Sequence, residues 1–318
     1  MSAVAMPMAA MGVTVLVAVL RNATPIIFAA LGGLISDLAG SINVALEGLM
    51  LIAAFFGVIV SVHAAQWFPG LAPWMLPWLG CLAGLAMALV LAAVLALFHL
   101  ELGADLIVAG IAINLLAAGL TVFLLVAIVG DKGSTAGLNS PSLPSLRMPG
   151  LAGLPLLDLL FNGEDGRGQH VLIYAALAGV AAVALFLSRT RWGTWIRAVG
   201  ENRDAALAAG IPVKRMQYTA LLISGLLAGL GGIYLSMGYL TLFQANMTAG
   251  RGFLALAAIF LGRRRPAGTF AAAVLFGATA SMAAWLGARH IDTQLVYMLP
   301  PLVTIAALVV AGARRRRS

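Results

Sequence analysis

The residues of this sequence that could do chemistry are polar side chains stranded inside long apolar runs. Asn43 and Glu47 stand four apart, so on a helix they share one face. A carboxylate within hydrocarbon is expensive, and Glu47 should therefore face a bundle interior or water. It could line a translocation path. Alternatively it is a structural carboxylate, protonated or paired with Arg251 or an asparagine, that orients helices. Asn114 lies mid-run in AINLLAAG, where it either lines such a path or acts as hydrogen-bonding glue between helices. Asn246, Thr248 and Arg251 precede an apolar stretch too short to cross a bilayer alone. Broken helices expose backbone dipoles to solutes, which favours a functional role there. The expected path residues are thus Asn43, Glu47, Asn114, Asn246, Thr248 and Arg251.

No catalytic or metal constellation accompanies them. The two lysines are followed by Gly (Lys132) and Arg (Lys214), so there is no Walker A pattern and no phosphate cradle of that kind. His63, His99, His170 and His290 are scattered near run ends without metal-ligand spacing. The single cysteine, Cys81, rules out an intrachain disulfide and reads as a small packing residue.

The elements that must position these side chains follow from composition. Of 318 residues, 62% are hydrophobic and 9% charged, with mean hydropathy +1.03. A soluble chain has roughly 25% charged residues, so a soluble enzyme is excluded. Long apolar runs of helical length argue an all-α, polytopic membrane bundle, and a transmembrane barrel would show short alternating segments instead. Spans are expected near 11–35, 43–63, 74–98, 106–130, 170–188, 217–240, 253–262, 267–287 and 295–312. The seventh supplies only about 15 Å of helix. Either 242–252 completes it as a broken helix, or 242–262 is a re-entrant element; both require shelter from lipid.

The net charge of +8 is no nucleic-acid footprint, because the basic residues cluster between apolar runs. Arg189, Arg191, Arg197, Arg203, Lys214 and Arg215, then Arg263–Arg265, then Arg314–Arg317 mark the cytoplasmic side. The tail cluster reads as a topology anchor. Nine crossings put the N-terminus outside and the C-terminus inside. Arg21 follows the first apolar stretch, the wrong order for a cleavable signal, so a retained first helix is expected. The whole chain, 1–318, reads as one transmembrane domain. Residues 131–169, rich in Gly, Pro and Ser with Asp131, Lys132, Arg147, Asp158, Glu164, Asp165 and Arg167, form an external loop. Residues 189–216 form the largest internal loop; a short helix is expected over 201–209, ended by Gly210, with Pro212 preventing continuation.

Two further patterns concern packing. Gly225 and Gly229, with Gly231 and Gly232, permit close helix contact. Gly48–Gly57 and Gly252–Gly262 echo one another at an offset of about 204 residues and run in opposite directions, as inverted transporter repeats do.

The runs Gly40–Leu51, Gly103–Asn114, Arg197–Ile211 and Asn246–Gly262 resemble the permease subunits of bacterial ATP-binding-cassette importers of the nucleoside or simple-sugar type. The likeness covers about 21–290 and extends more distantly to ribose and branched-chain amino-acid permeases. It implies a second permease subunit, often in a heterodimer, and a cytoplasmic ATPase that holds the ATP and magnesium. It also implies an external solute-binding protein and no cofactor in this chain. It further implies that Arg197, Gly200, Glu201, Asn202, Ala205, Ala206, Ala209 and Gly210 belong to a coupling helix docked on the ATPase. The family often has Glu-Arg where Asp37-Leu38 follows Ser36 here, and Arg263–Arg265 is more basic than usual. The rival readings are a branched-chain amino-acid-type permease and a stand-alone secondary carrier with Glu47 as its proton site.

Overall fold

A backbone in hydrocarbon must satisfy its own N–H and C=O groups, which a helix does within one segment. The apolar runs accordingly form helices in the computed structural model, which describes residues 8–131, 133–150, 155–163 and 168–287. In chain order these are α1 (Met8–Leu38), α2 (Leu46–Trp67), α3 (Leu76–Leu100), α4 (Leu106–Val129), α5 (Pro155–Asn162) and α6 (Val171–Arg189). There follow α7 (Arg191–Glu201), α8 (Arg203–Ala208), α9 (Val213–Tyr234, extended by a π turn to Tyr239), α10 (Arg251–Leu261) and α11 (Pro266–Gly287). Among the described residues, seven helices are long and apolar enough to cross a bilayer, and α10 is a shorter apolar helix. Eight of the nine expected spans are therefore present. The ninth, 295–312, lies outside the described residues, as do His290, Arg314–Arg317, Lys132, Glu164, Asp165 and Arg167.

α2 and α9 are the most deeply buried spans and sit at the centre with α1. The glycines of α9 explain the close packing. A Cβ at Gly232 would overlap the Met50 carbonyl, one at Gly231 would come 2.8 Å from the Pro25 carbonyl, and one at Gly229 would meet Ala88 Cβ at 3.0 Å. With a hydrogen in that place, α9 lies directly on α1, α2 and α3.

The connectors sort to two ends. At one end, Gly200 of α7 touches the Leu38 carbonyl, Lys214 Nζ pairs with Glu101 Oε2 at 3.0 Å, and Arg264 pairs with Asp37. Nine of the basic residues, from Arg189 to Arg265, belong to this end. At the other end, β1 (Ser145–Leu146) pairs antiparallel with β2 (Gln169–His170), and Thr135 N donates to the Phe243 carbonyl at 2.9 Å.

These contacts decide between the two expectations for 242–262. The segment starts against residues 133–135 at one end, where Ser134 and Gln244 form an isolated bridge, and the turn after α10 reaches Asp37 at the other. It is a broken crossing, irregular over 240–250 and helical over 251–261.

Candidate functional site

α1 ends at Leu38 and α2 begins only at Leu46, which leaves irregular backbone inside the bundle; Ala39, Ser41, Asn43 and Ala45 are fully buried. Buried N–H and C=O groups need partners, and two asparagines supply them. Asn43 Oδ1 accepts from Ala45 N at 2.9 Å, while its Nδ2 donates to Ser224 Oγ of α9 at 2.9 Å. Asn114, on α4, accepts from Gly48 N at 2.7 Å and donates to the Val44 carbonyl at 2.9 Å. Both therefore replace the helical bonds missing at the open start of α2.

Glu47 does the equivalent service for α10. Its Oε1 accepts from Gly250 N at 2.7 Å and its Oε2 from Gly252 N at 2.6 Å. A carboxylate at the positive end of a helix, receiving two charge-assisted bonds, is a favourable arrangement. Gly250 permits it with φ +80°, and Gly252 permits it because a Cβ there would strike the Glu47 backbone. Both of these bonds run to backbone N–H groups. Arg251 turns back, donating to the Met247 and Thr248 carbonyls at 3.0 and 3.2 Å.

The structure thus brings Asn43, Glu47, Asn114 and Arg251 around two broken helices that meet inside the bundle. The starts of the echoed segments lie close together here, with Gly252 against Glu47, the residue before Gly48. Thr248 is buried, and its carbonyl also accepts from Arg251 N at 2.9 Å. Asn246 is exposed on the irregular strand, in the left-handed region with φ 55°. Exposed Gln244 beside it, bridged to Ser134, was not singled out in the sequence, since polar loop residues carry no periodic signal.

At the basic end, the expected helix over 201–209 is divided. Glu201 closes α7, and Asn202 caps α8 by accepting from Ala205 N at 3.0 Å. Gly210, at φ +77°, ends it, with its N–H on the Leu207 carbonyl at 2.9 Å and Ile211 N on the Ala206 carbonyl at 3.0 Å. Of this group only Ala206 is buried; Arg197, Gly200, Glu201, Asn202, Ala205, Ala209 and Gly210 are exposed, as is Leu207 at 53%. Gly200 is pinned at its backbone, because a Cβ would overlap the Leu38 carbonyl and come 3.0 Å from Gly40 N.

The two departures from the family pattern touch each other. Arg264 Nε lies 2.8 Å from Asp37 Oδ2, and its Nη2 donates to Oδ1 at 3.2 Å. The Asp37 side chain is buried while half of the arginine's stays in solvent.

Residues 15–308 match the family described as branched-chain amino acid transport system, permease component. The chain is 36% identical to the guanosine ABC transporter permease NupQ of Bacillus subtilis over 296 residues, covering 92% of this chain and 89% of NupQ. It is 32% identical to the nucleoside ABC transporter permease NupC of Lactococcus lactis over 289 residues, 90% of this chain and 88% of NupC. It is also 34% identical to a putative glucose ABC transporter permease, TsgC13, of Haloferax volcanii, over 82% of this chain and 74% of that one. No solved structure matches. A polytopic helical bundle whose sequence matches along nearly its whole length leaves no other assignment: the chain is a transport component and belongs to the branched-chain amino-acid-type permease family of ATP-binding-cassette transporters.

Proposed function

We propose that this chain is the membrane-spanning subunit of an ATP-driven importer of nucleosides in a bacterial cell membrane. The observation that carries the solute class is the likeness, over about nine-tenths of the chain, to permeases named for guanosine and nucleosides. The basic connectors at the end bearing α7 and α8 support a cytoplasmic position for that end. The N-terminus is then outside and, with nine crossings, the C-terminus inside.

α8 is the coupling helix. Its exposed small residues, Ala205, Ala209 and Gly210, allow close seating in a groove of a cytoplasmic ATPase, with Arg197, Glu201, Arg203 and Asp204 at the rim. The ATPase holds ATP and magnesium, and an external solute-binding protein and a second permease subunit complete the importer. Displacement of α8 reaches the bundle through Gly200, which rests on Leu38 and Gly40. The next buried residues in that connector lead to Asn43 and then to Glu47, which grips the start of α10. A rigid shift of the connector therefore moves the two broken helices against each other and alternates access. Solute passes beside 240–250, where Gln244 and Asn246 are exposed. Glu47, Thr248 and Arg251 shape that passage by holding its backbone, and Asn43 and Asn114 hold the connector and the start of α2 behind it.

The test is uptake by proteoliposomes containing both permease subunits, the ATPase and the binding protein. Replacing Glu201 with Ala together with Gly210 with Val should abolish nucleoside uptake while the bundle stays folded and ATP hydrolysis continues. Unchanged uptake, or uptake under an ion gradient without the ATPase, would overturn the mechanism. A thermal-shift screen of the binding protein against nucleosides, pentoses and amino acids tests the solute; stabilisation by amino acids alone would defeat it.

A further inference from the structure

Buried irregular backbone must find partners for its N–H and C=O groups. In the outer half of the broken crossing, over 243–245, these come from the loop after α4. Ala245 N donates to the Gly133 carbonyl at 2.9 Å, and Thr135 N donates to the Phe243 carbonyl at 2.9 Å. Between these bonds Ser134 stands opposite Gln244 in an antiparallel bridge. Phe243 N donates in turn to the Thr135 hydroxyl, Oγ1, at 2.9 Å. Residues 133–135 thus pair with 243–245 as a short antiparallel ladder, with Ser134 and Gln244 as its non-hydrogen-bonded pair. The inner half is held differently. The N–H groups of Met247, Ala249 and Arg251 close local turns on the Gln244, Asn246 and Thr248 carbonyls, and Gly250 N goes to Glu47.

The ladder also sets direction. Thr135 and Phe243 are fully buried, and the Phe243 ring meets Phe55 of α2 edge-on with centroids 5.1 Å apart. Successive side chains of an extended chain point to opposite faces. With Phe243 inward, Gln244 points away from the packed interior and is exposed. A slip of one residue would exchange the two. Thr135 engages Phe243 at both its N–H and its C=O, so it fixes that register.

We propose that residues 133–135 are part of the wall of the solute passage, joined to 243–245 throughout the transport cycle, and that Thr135 is the positioning residue that keeps Gln244 turned to the solute. The proposal rests on the importer reading for what passes; the ladder rests on geometry alone.

The double variant Ser134→Cys, Gln244→Cys tests this. Residues of a non-hydrogen-bonded pair have Cα atoms about 4.5 Å apart, within the span of a disulfide, and the native Cys81 is buried. In the purified full-length chain, copper phenanthroline should close the disulfide in most molecules, as read by peptide mass mapping. Failure to close it overturns the ladder, whatever the chain transports. In proteoliposomes with the second permease subunit, the ATPase and the binding protein, the oxidised variant should take up nucleoside as fast as its own reduced form, because the loss of Gln244 weighs on both. Uptake that stops on oxidation and returns with dithiothreitol overturns the proposal. Thr135→Val, which keeps the size and removes the hydroxyl, should lower uptake about tenfold, the scale of one buried hydrogen bond left unmade. Thr135→Ser should restore it. Uptake by Thr135→Val equal to that of the wild type, or equal losses in both variants, overturns the positioning role. Wild-type vesicles that take up no nucleoside sink the importer reading instead, and the disulfide in the purified chain still decides the ladder.

Discussion

Glu47 meets two backbone N–H groups with two oxygens, and a glutamine in its place can accept only one of them. Its amide N–H₂ would face the other donor. Glu47→Gln is therefore expected to lower stability by about 2 kcal/mol, the loss of one charge-assisted bond in a half-buried setting. A fall of several degrees in the melting temperature of the purified protein would show it. Glu47→Asp should be no better, because the shorter side chain cannot reach both Gly250 and Gly252. At the far end, His170 caps α6 by accepting from Leu172 N at 3.2 Å. Its ring packs on Gly238 and edge-on to Tyr234. Burial holds this imidazole down at about 4, against an ordinary value of 6.5, while the Met237 carbonyl pulls weakly the other way. The unfolded chain thus takes up a proton that the folded chain refuses. Stability from this group is complete above about pH 6.5 and is lost as pH falls toward 4. Melting temperature against pH should decline over that window, and His170→Asn, which keeps a capping oxygen without the titration, should flatten the decline.

Among the elements, α7 matters for where it rests. The lack of a Cβ at Gly200 is what lets the end of α7 lie on the α1–α2 connector. Gly200→Val must push the two apart, so nucleoside uptake should fall roughly tenfold or more, as expected when misplaced groups break a mechanical linkage. Melting of the bundle should shift little, because the site is at the exposed edge. Measuring ATP hydrolysis and uptake in the same vesicles separates uncoupling from misfolding. The Asp37–Arg264 pair ties the same end of α1 to the turn after α10, where Arg263 and Arg264 hold positive φ of 55° and 57°. Both elements flanking the connector are therefore tethered at one level: α1 by this ion pair, α2 by Asn43 and Asn114.

For the molecule as a whole, the separation of charge between its two ends is the property with the largest consequence. Cysteine substitutions report on it directly, since Cys81 is buried. Ala209→Cys should react with a membrane-impermeant maleimide only in inside-out vesicles, and Ser142→Cys only in right-side-out vesicles. The reverse pattern would invert the bundle and place α8 where no cytoplasmic motor reaches it.

The hydrophobic runs alone determined the number and bounds of the described spans to within four residues. Such runs are long, and a backbone in lipid has few alternatives to helix. The caps at Asn202 and Gly210 were legible for a related reason: turn and cap chemistry is local, so the residue types at those positions carry it. Local sequence also marked Glu47 as expensive and 242–262 as too short. The identity of Glu47's partners came only from tertiary structure. Two backbone N–H groups about 200 positions away leave no side-chain signature. The meeting of Asp37 with Arg264 was hidden for the same physical reason. Each residue departs from its surroundings separately, and only the packing of α1 against α10 brings the two charges within bonding distance.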